Sequence, residues 1–163
     1  MKSPPEKERL FSSLIREHSR IINSVCYFYS SERLPFEDLR QEVYINLWNG
    51  IEKFRSESKI STWIYRVAIN TALMAIRSTR RRIDTVPIDI SIINSSDEID
   101  SAQKESLELL TNLIERLDEI EKAIILLWLD EYSYEEIAET MGLKKSNVAT
   151  KIFRIKEKLS KSI

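Results

Sequence analysis

Near the carboxyl end of this 163-residue chain, cationic side chains recur along one predicted helix. Residues 133–159 have the pattern of a short helix, a tight turn at Gly142 and a longer helix that carries Lys144, Lys145, Lys151, Arg154, Lys156 and Lys158. Such side chains neutralise DNA phosphates, and a cationic helix presented by a helix-turn-helix fits the major groove of duplex DNA. We therefore predict a DNA-binding helix. The alternative is an amphipathic helical hairpin whose lysines are only a solvated face.

Two faces of that helix follow from its spacing. Its apolar positions, which keep the helical period and should be buried, are Val148, Ile152, Ile155 and Leu159. The opposite face, which can contact bases and phosphates, holds Asn147, Thr150, Lys151 and Arg154. Ser133 and Glu136 form a capping box that opens the preceding helix.

Aromatic and cationic side chains are interleaved along residues 54–82, which form a second candidate binding segment. A helix is predicted from about residue 60 to 80, with Ser61 as its N-cap and one side that carries Arg66, Asn70, Arg77, Arg80, Arg81 and Arg82. Aromatic rings can stack on unpaired bases while cations follow the backbone, so this surface suits single-stranded DNA. Trp63 is either a base platform or a core residue, and the terminal arginines either contact phosphate or only complement the helix dipole.

The elements that must position these residues are also predicted to be helical. One helix is expected from Lys7 to about Tyr29, and its buried positions are Leu10, Leu14, Ile21, Ile22, Val25 and Phe28. A second should run over residues 36–48, end at Asn49-Gly50 and bury Leu39, Val43, Leu47 and Tyr44. A later helix should bury Leu107, Leu110, Leu113, Ile114 and Leu117, and a capping box of Asp118 and Glu121 opens the next one.

Composition sets the class of the protein and excludes several functions. Two glycines and four prolines predict an all-α chain. The one cysteine, Cys26, fits core packing in a reducing cytoplasm, and neither a signal core nor a membrane-length apolar run is evident. The one histidine, His18, has no Cys or carboxylate at ligand spacing, so we expect no enzyme, metal or cofactor.

The net charge of −1 hides a strong asymmetry. Residues 1–82 carry 15 Lys and Arg against 9 Asp and Glu, residues 83–122 carry 3 against 11, and residues 143–163 carry 7 against 1. Periodicity fails over residues 83–101, which we interpret as an acidic linker that could span about 60 Å when extended, roughly 18 base pairs of duplex. The fold class is therefore all-α: two small helical domains joined by a flexible acidic linker, the second containing a helix-turn-helix.

Three segments together resemble one family. FEDLRQEVYINLWNGIEKF, SKISTWIYRVAINTALMAIR and YSYEEIAETMGLKKSNVATKIFRIKEKL make the chain similar to sigma-70 family RNA polymerase sigma factors of the extracytoplasmic-function (ECF) group. The resemblance implies three parts: region 2 in residues 1–82, a linker in residues 83–103 and region 4 in residues 104–163. It also implies binding to core RNA polymerase and promoter DNA, and a regulating anti-sigma factor that is often membrane-bound, with no membrane insertion of this chain.

The resemblance assigns a role to each matching residue. Contact with the β′ clamp of core polymerase is expected for Asp38, Leu39, Gln41, Glu42 and Tyr44. Recognition and opening of the minus-ten element is expected for Lys59, Ser61, Thr62, Trp63, Arg66, Asn70 and Arg77. Recognition of the minus-thirty-five element as duplex is expected for Lys145, Ser146, Asn147, Thr150, Lys151 and Arg154.

One departure from the family pattern concerns the start of the recognition helix. Lys144 stands where relatives commonly carry a small polar capping residue, so either Ser146 caps the helix or its start is irregular. The competing hypothesis for the whole chain is a stand-alone helix-turn-helix regulator, which would grip duplex DNA without polymerase, usually as a dimer on a palindrome. The second, basic-aromatic helix favours the sigma factor, because a duplex-only regulator does not need it.

Overall fold

The structure is a computed structural model that describes residues 2–80 and 101–162. These residues form α1 (Pro4–Glu17), α2 (Ser19–Tyr29), α3 (Phe36–Gly50) and α4 (Ile60–Arg80), then α5 (Ser101–Glu115), α6 (Glu119–Leu129), α7 (Tyr134–Met141) and α8 (Lys145–Lys161). The all-α prediction is confirmed. The chain divides into two compact units, residues 1–84 and 85–163. Arg81, Arg82 and most of the predicted linker lie outside the described residues, but residues 101–103, which we had assigned to the linker, already belong to α5.

The first unit is a bundle of α2, α3 and α4. Its interior is built from aliphatic side chains of all three helices and from small residues of α4 that allow close helix packing; buried members are Ile22, Val25, Leu39, Val43, Leu47, Ile64, Ala68 and Ala72. Cys26 is fully buried among them, in agreement with its expected packing role. The bounds predicted for α4, residues 60–80, are those observed.

The predicted single helix over residues 7–29 is wrong, because the structure has two helices separated at His18. His18 has φ −116° and ψ 20°, and the Ser19 hydroxyl donates a hydrogen bond to the Arg16 carbonyl oxygen at 3.4 Å. Phe11, Leu14 and Ile22 keep one helical phase across this break, so periodicity alone gives no sign of it.

The burial predicted for that segment is only partly correct. Leu14, Ile22 and Val25 are buried, but Ile21 and Phe28 are half-buried and Leu10 is exposed. Phe11, which the pattern did not single out, adds to the buried Leu14 an apolar contact of α1: its ring lies edge-on to Tyr44 at 6.4 Å and to Trp48 at 5.3 Å.

Glycine is required at position 50 for a reason other than the predicted end signal. The helix does end at Gly50, yet this residue stays right-handed at φ −93° and the chain continues into a 3-10 turn, Ile51–Lys53. A Cβ atom at Gly50 would lie 2.9 Å from Cζ2 of Trp63, so only glycine lets the indole approach the end of α3.

The N-cap predicted for α4 is also wrong. Ser61 lies inside the first turn, and the Lys59 carbonyl oxygen accepts the early helical hydrogen bond from the Trp63 amide at 3.2 Å.

The second unit packs α6, α7 and α8 together, and both predicted capping boxes are present. The Glu121 amide donates to Asp118 at 2.8 Å, and the Glu136 amide donates to the Ser133 hydroxyl at 3.1 Å. The turn after α7 depends on Gly142, which is left-handed at φ 66°.

The amino-terminal half of α5 is more exposed than its pattern predicts. Leu113 and Ile114 are buried and Leu110 is half-buried, but Leu107 is 50% exposed, so its predicted burial is wrong. Burial is confined to the last turns of α5, next to the connection to α6. Within residues 2–80 and 101–162, no helix combines the length and the apolar character that a bilayer crossing requires.

Candidate nucleic-acid interface

The predicted recognition helix, α8, buries the face that its spacing indicated. Val148, Ile152 and Ile155 are at most 1% exposed, and Leu159 is half-buried. The opposite face is polar and open to solvent; its exposed members are Ser146, Asn147, Thr150 and Arg154, with Lys151 half-buried at its edge. The structure therefore brings five of the six residues of the predicted minus-thirty-five set, all but Lys145, onto the solvent-facing side of α8.

The cations of α8 divide into those with a partner inside the unit and those without one. Lys145 forms an ion pair with Glu135 of α7, Lys158 forms one with Glu121 of α6, and the Lys156 ammonium lies 4.3 Å from the centre of the Trp128 ring. In the described part of the chain, Lys151 and Arg154 have no ion pair. On the solvent face of α8, these two cations are available to neutralise DNA phosphates.

The amino terminus of α8 has no side-chain cap. Lys144 occupies the N-cap with extended backbone angles, φ −77° and ψ 146°, and its side chain makes no capping hydrogen bond. Ser146 is the second helical residue and does not cap it; the amides of Asn147 and Val148 donate instead to the Lys144 carbonyl oxygen, at 3.0 and 3.1 Å. Of the two starts considered from the sequence, the structure has the one without a serine cap.

Phe153 is a residue of this face that sequence reasoning missed. Its ring is 63% exposed, and it lies on the solvent side of α8 beside Thr150 and Arg154. An apolar ring on a groove-reading helix can contact the methyl group of thymine. The available signal was its phase, since Phe153 falls well away from the stripe of Val148 and Ile152.

In the first unit, α4 presents a polar strip. Asn70, Arg77 and Arg80 are exposed along it, and Arg66 is half-buried. Met74, which sequence reasoning did not single out, is 69% exposed between Asn70 and Arg77.

The residues expected at the start of α4 are less uniformly accessible. Lys59 is exposed and Ser61 is half-buried, but Thr62 is only 3% exposed, so its side chain is not presented at the surface.

Trp63 is fixed where the 54–59 loop joins α4. Its indole packs on Gly50, and the Phe54 ring lies 5.3 Å away at an interplanar angle of 38°. Ser56, in the same loop, has a positive φ of 57°. The ring is half-buried, so Trp63 packs on the bundle while keeping part of its surface open.

On α3, one exposed face carries three of the five residues expected to contact polymerase. Asp38, Gln41 and Glu42 are exposed on it. Leu39 is fully buried in the core. Tyr44 is half-buried against Phe11, and desolvation raises the pKa of its phenol.

The face of α3 that carries Asp38, Gln41 and Glu42 also holds an apolar residue missed from the sequence. Ile45 is 58% exposed and shares their helical phase. We call Asp38, Gln41, Glu42 and Ile45 the α3 face.

Comparison with known proteins identifies the family. Residues 14–82 match Sigma-70 region 2, and residues 107–159 match Sigma-70, region 4. The chain is 30% identical over 162 residues to the ECF RNA polymerase sigma-E factor of Escherichia coli K12, covering 92% of this chain and 84% of that protein. It belongs to the ECF group of the sigma-70 family. The ECF sigma-E factor of Haemophilus influenzae is 28% identical over 96% of this chain and 88% of its own length.

Two solved structures share the fold of this sigma factor at 19% identity. CnrH, in complex with the cytosolic domain of CnrY, superposes with a TM-score of 0.65 over 94% of this chain and 86% of that one. The sigma factor RpoE of Bartonella quintana, in complex with the anti-sigma factor NepR, gives 0.71 over 93% and 94%. The recognised family is thus confirmed, and the region 2 match, which starts at residue 14, leaves most of α1 outside it.

The surroundings of two ionisable groups of the sigma factor, Cys26 and Glu135, shift their pKa values in opposite directions. Burial raises the pKa of the Cys26 thiol to about 12, so this cysteine stays protonated and packs as an apolar residue. The Glu135 carboxylate is exposed, and its hydrogen bond with Lys145 lowers its pKa below the ordinary value. Glu135 is therefore an anion at neutral pH, beside the first residue of the recognition helix.

Proposed function

We propose that this sigma factor divides promoter recognition between its two units. The first, residues 1–82, binds core RNA polymerase and opens the minus-ten element; the second, from the start of α5 at Ser101 to residue 163, reads the minus-thirty-five element as duplex; residues 83–100 tether them. The single observation that carries the proposal is the solvent face of α8. On that face, Lys151 and Arg154 have no ion pair among the described residues, and they lie beside the side chains that we propose read bases. The opposite face of α8 is the buried apolar stripe.

Core polymerase binding is assigned to the α3 face. An exposed isoleucine ringed by Asp38, Gln41 and Glu42 has the composition of a protein contact: an apolar centre with a polar rim. The β′ clamp is the partner proposed for it. Leu39 and Tyr44 support this surface from below, because Leu39 is buried and Tyr44 packs on Phe11.

Strand opening is assigned to the exposed strip of α4 together with the loop that Trp63 anchors. Opening a duplex without nucleotide hydrolysis requires the protein to hold an extruded base, which offsets a cost of a few kcal/mol for unstacking. Asn70 can hydrogen-bond such a base, Arg77 can neutralise the adjacent phosphate and Met74 can contact its apolar surface. Lys59 and Arg66 extend the positive surface.

Regulation by an anti-sigma factor is proposed as well. The solved structure of the Bartonella RpoE is a complex with an anti-sigma factor, and this chain shares its fold. We infer that a partner of this class covers the two units, and that the sigma factor acts in the cytoplasm by binding rather than by catalysis.

Run-off transcription tests the proposal. Core RNA polymerase with and without the full chain is given genomic fragments, and we expect discrete transcripts only when the chain is present. On a fragment so identified, Arg154→Ala should reduce the transcript yield while leaving co-purification with core enzyme intact. Tight duplex binding by the free chain, with no polymerase complex formed, would instead establish a stand-alone regulator.

A further inference from the structure

The ion pair between Lys145 and Glu135 joins the recognition helix to the helix before it. Lys145 is the first residue of α8 and Glu135 lies in the first turn of α7. Both side chains are well exposed, at 60% and 65%, so the pair adds little to the stability of the fold. What it does change is the charge that the start of α8 presents to DNA.

The pair lies where a DNA backbone would pass. In a helix-turn-helix, the amino-terminal end of the second helix enters the major groove while the first helix crosses the phosphate backbone. A carboxylate on α7 that engages the first cation of α8 is therefore placed to compete with a phosphate for that cation. The rest of the unit adds to this effect, because residues 101–139 carry 11 Asp and Glu against 3 Lys and Arg.

We propose that Glu135 is an internal competitor of DNA phosphate for Lys145, and so limits binding of this sigma factor to non-promoter duplex. The proposal rests on the proposed role of α8. When Lys145 leaves Glu135 to bind a phosphate, the DNA releases a counterion. The Glu135 carboxylate, now without its partner, takes up a cation from solution, so the exchange releases no net counterion. Sequence-independent affinity is reduced, so the free chain occupies less non-promoter DNA at a given concentration, whereas base contacts from the solvent face of α8 are untouched.

The salt dependence of duplex binding tests this competition. The full chain is titrated with a 20-base-pair duplex of arbitrary sequence, by fluorescence anisotropy from 50 to 200 mM salt. We expect Glu135→Gln to make the slope of log K against log salt concentration more negative by about 0.9, which is the value for one more neutralised phosphate. Between 50 and 200 mM salt, this slope corresponds to about a threefold greater loss of affinity. In the Glu135→Gln background Lys145→Gln should remove the added slope, and in the wild-type background it should change little.

Glu157→Gln is the matched control. Glu157 is an exposed carboxylate of α8 itself, without an ion pair in the described part of the chain, and its replacement changes the net charge by the same amount. Equal slopes for Glu135→Gln and Glu157→Gln, or an effect of Lys145→Gln that is the same in both backgrounds, would overturn the competition. Arg154→Ala distinguishes failure of the competition from failure of the proposed function. If Arg154→Ala leaves the salt dependence of duplex binding unchanged, α8 does not bind DNA and the proposed function is wrong.

Discussion

At the scale of single residues, Gly50 shows how one missing methyl group positions an aromatic side chain. An alanine Cβ would lie 2.9 Å from Cζ2 of Trp63, whose ring is also held by Phe54. Alanine is normally the better helix former by about 0.5–1 kcal/mol, but here overpacking of about 1–3 kcal/mol should prevail. We expect Gly50→Ala to lower the free energy of unfolding in urea, whereas Asn49→Ala, at an exposed neighbour, should not. Stabilisation by Gly50→Ala would show that Trp63 moves aside without cost.

Phe153 carries the residue-scale prediction for promoter reading. Because its ring is 63% exposed, Phe153→Ala should change the free energy of unfolding by no more than about 0.5 kcal/mol. Loss of a thymine contact should relax discrimination at one base pair, by about 1 kcal/mol, in holoenzyme binding to single-base variants of a promoter fragment. Leu109→Ala, an exposed apolar control on α5, should leave discrimination intact. An unaltered preference at every position would remove Phe153 from the reading face.

The exposed residues of the candidate surfaces that were missed from the sequence have one property in common. Ile45, Met74 and Phe153 are apolar, and apolar residues in an amphipathic helix are assigned to the core by default, yet each is more than half exposed. Leu39 and Thr62 show the opposite case: a family pattern places both among contact residues, and the fold buries both side chains. A pattern identifies the element that carries a function, whereas burial depends on which neighbours pack against it.

At the scale of helices, two capping boxes and one glycine turn were predicted correctly, whereas the N-cap of α4 and the break at His18 were not. The capping boxes at Asp118 and Ser133 and the left-handed Gly142 depend on residues three or fewer positions apart, and the structure has all of them. The apolar positions before and after the break at His18 share one helical phase, so the sequence pattern does not reveal the break. Burial along α5 likewise could not be predicted, because it depends on where α6 begins to cover that helix.

The uncapped start of α8 gives the helix-scale prediction. Lys144 already has the extended backbone angles of an N-cap, so a serine there can accept a first-turn amide without rearrangement. We expect Lys144→Ser to raise the free energy of unfolding by about 1 kcal/mol, measured by urea denaturation and far-UV circular dichroism. Lys144→Ala removes the same charge but supplies no acceptor and is the control. If the two variants were equally stable, the effect would come from charge rather than from capping.

At the scale of the whole molecule, the near-zero net charge results from opposed segments. The acidic part of the second unit, residues 101–139, precedes an α8 region, residues 144–161, with 7 Lys and Arg and one Glu. Three of those seven cations already have partners on α6 or α7. Two of these partners, Glu135 and Glu121, are carboxylates and reduce the positive charge that α8 offers to DNA, which fits a protein that acts as a subunit of polymerase.

The proposed division of labour within the first unit can be tested with two exposed apolar residues that lie on different helices. Ile45 of α3 and Met74 of α4 are 58% and 69% exposed, so an aspartate at either site should be tolerated by the fold. An aspartate at the centre of the α3 face should repel an apolar partner, so Ile45→Asp should abolish co-purification with core polymerase and hence run-off transcription. Met74→Asp should keep the polymerase complex but reduce permanganate reactivity of the melted strand, because its charge repels the DNA backbone. Loss of polymerase binding in both variants, or in neither, would contradict the assignment of separate surfaces to α3 and α4.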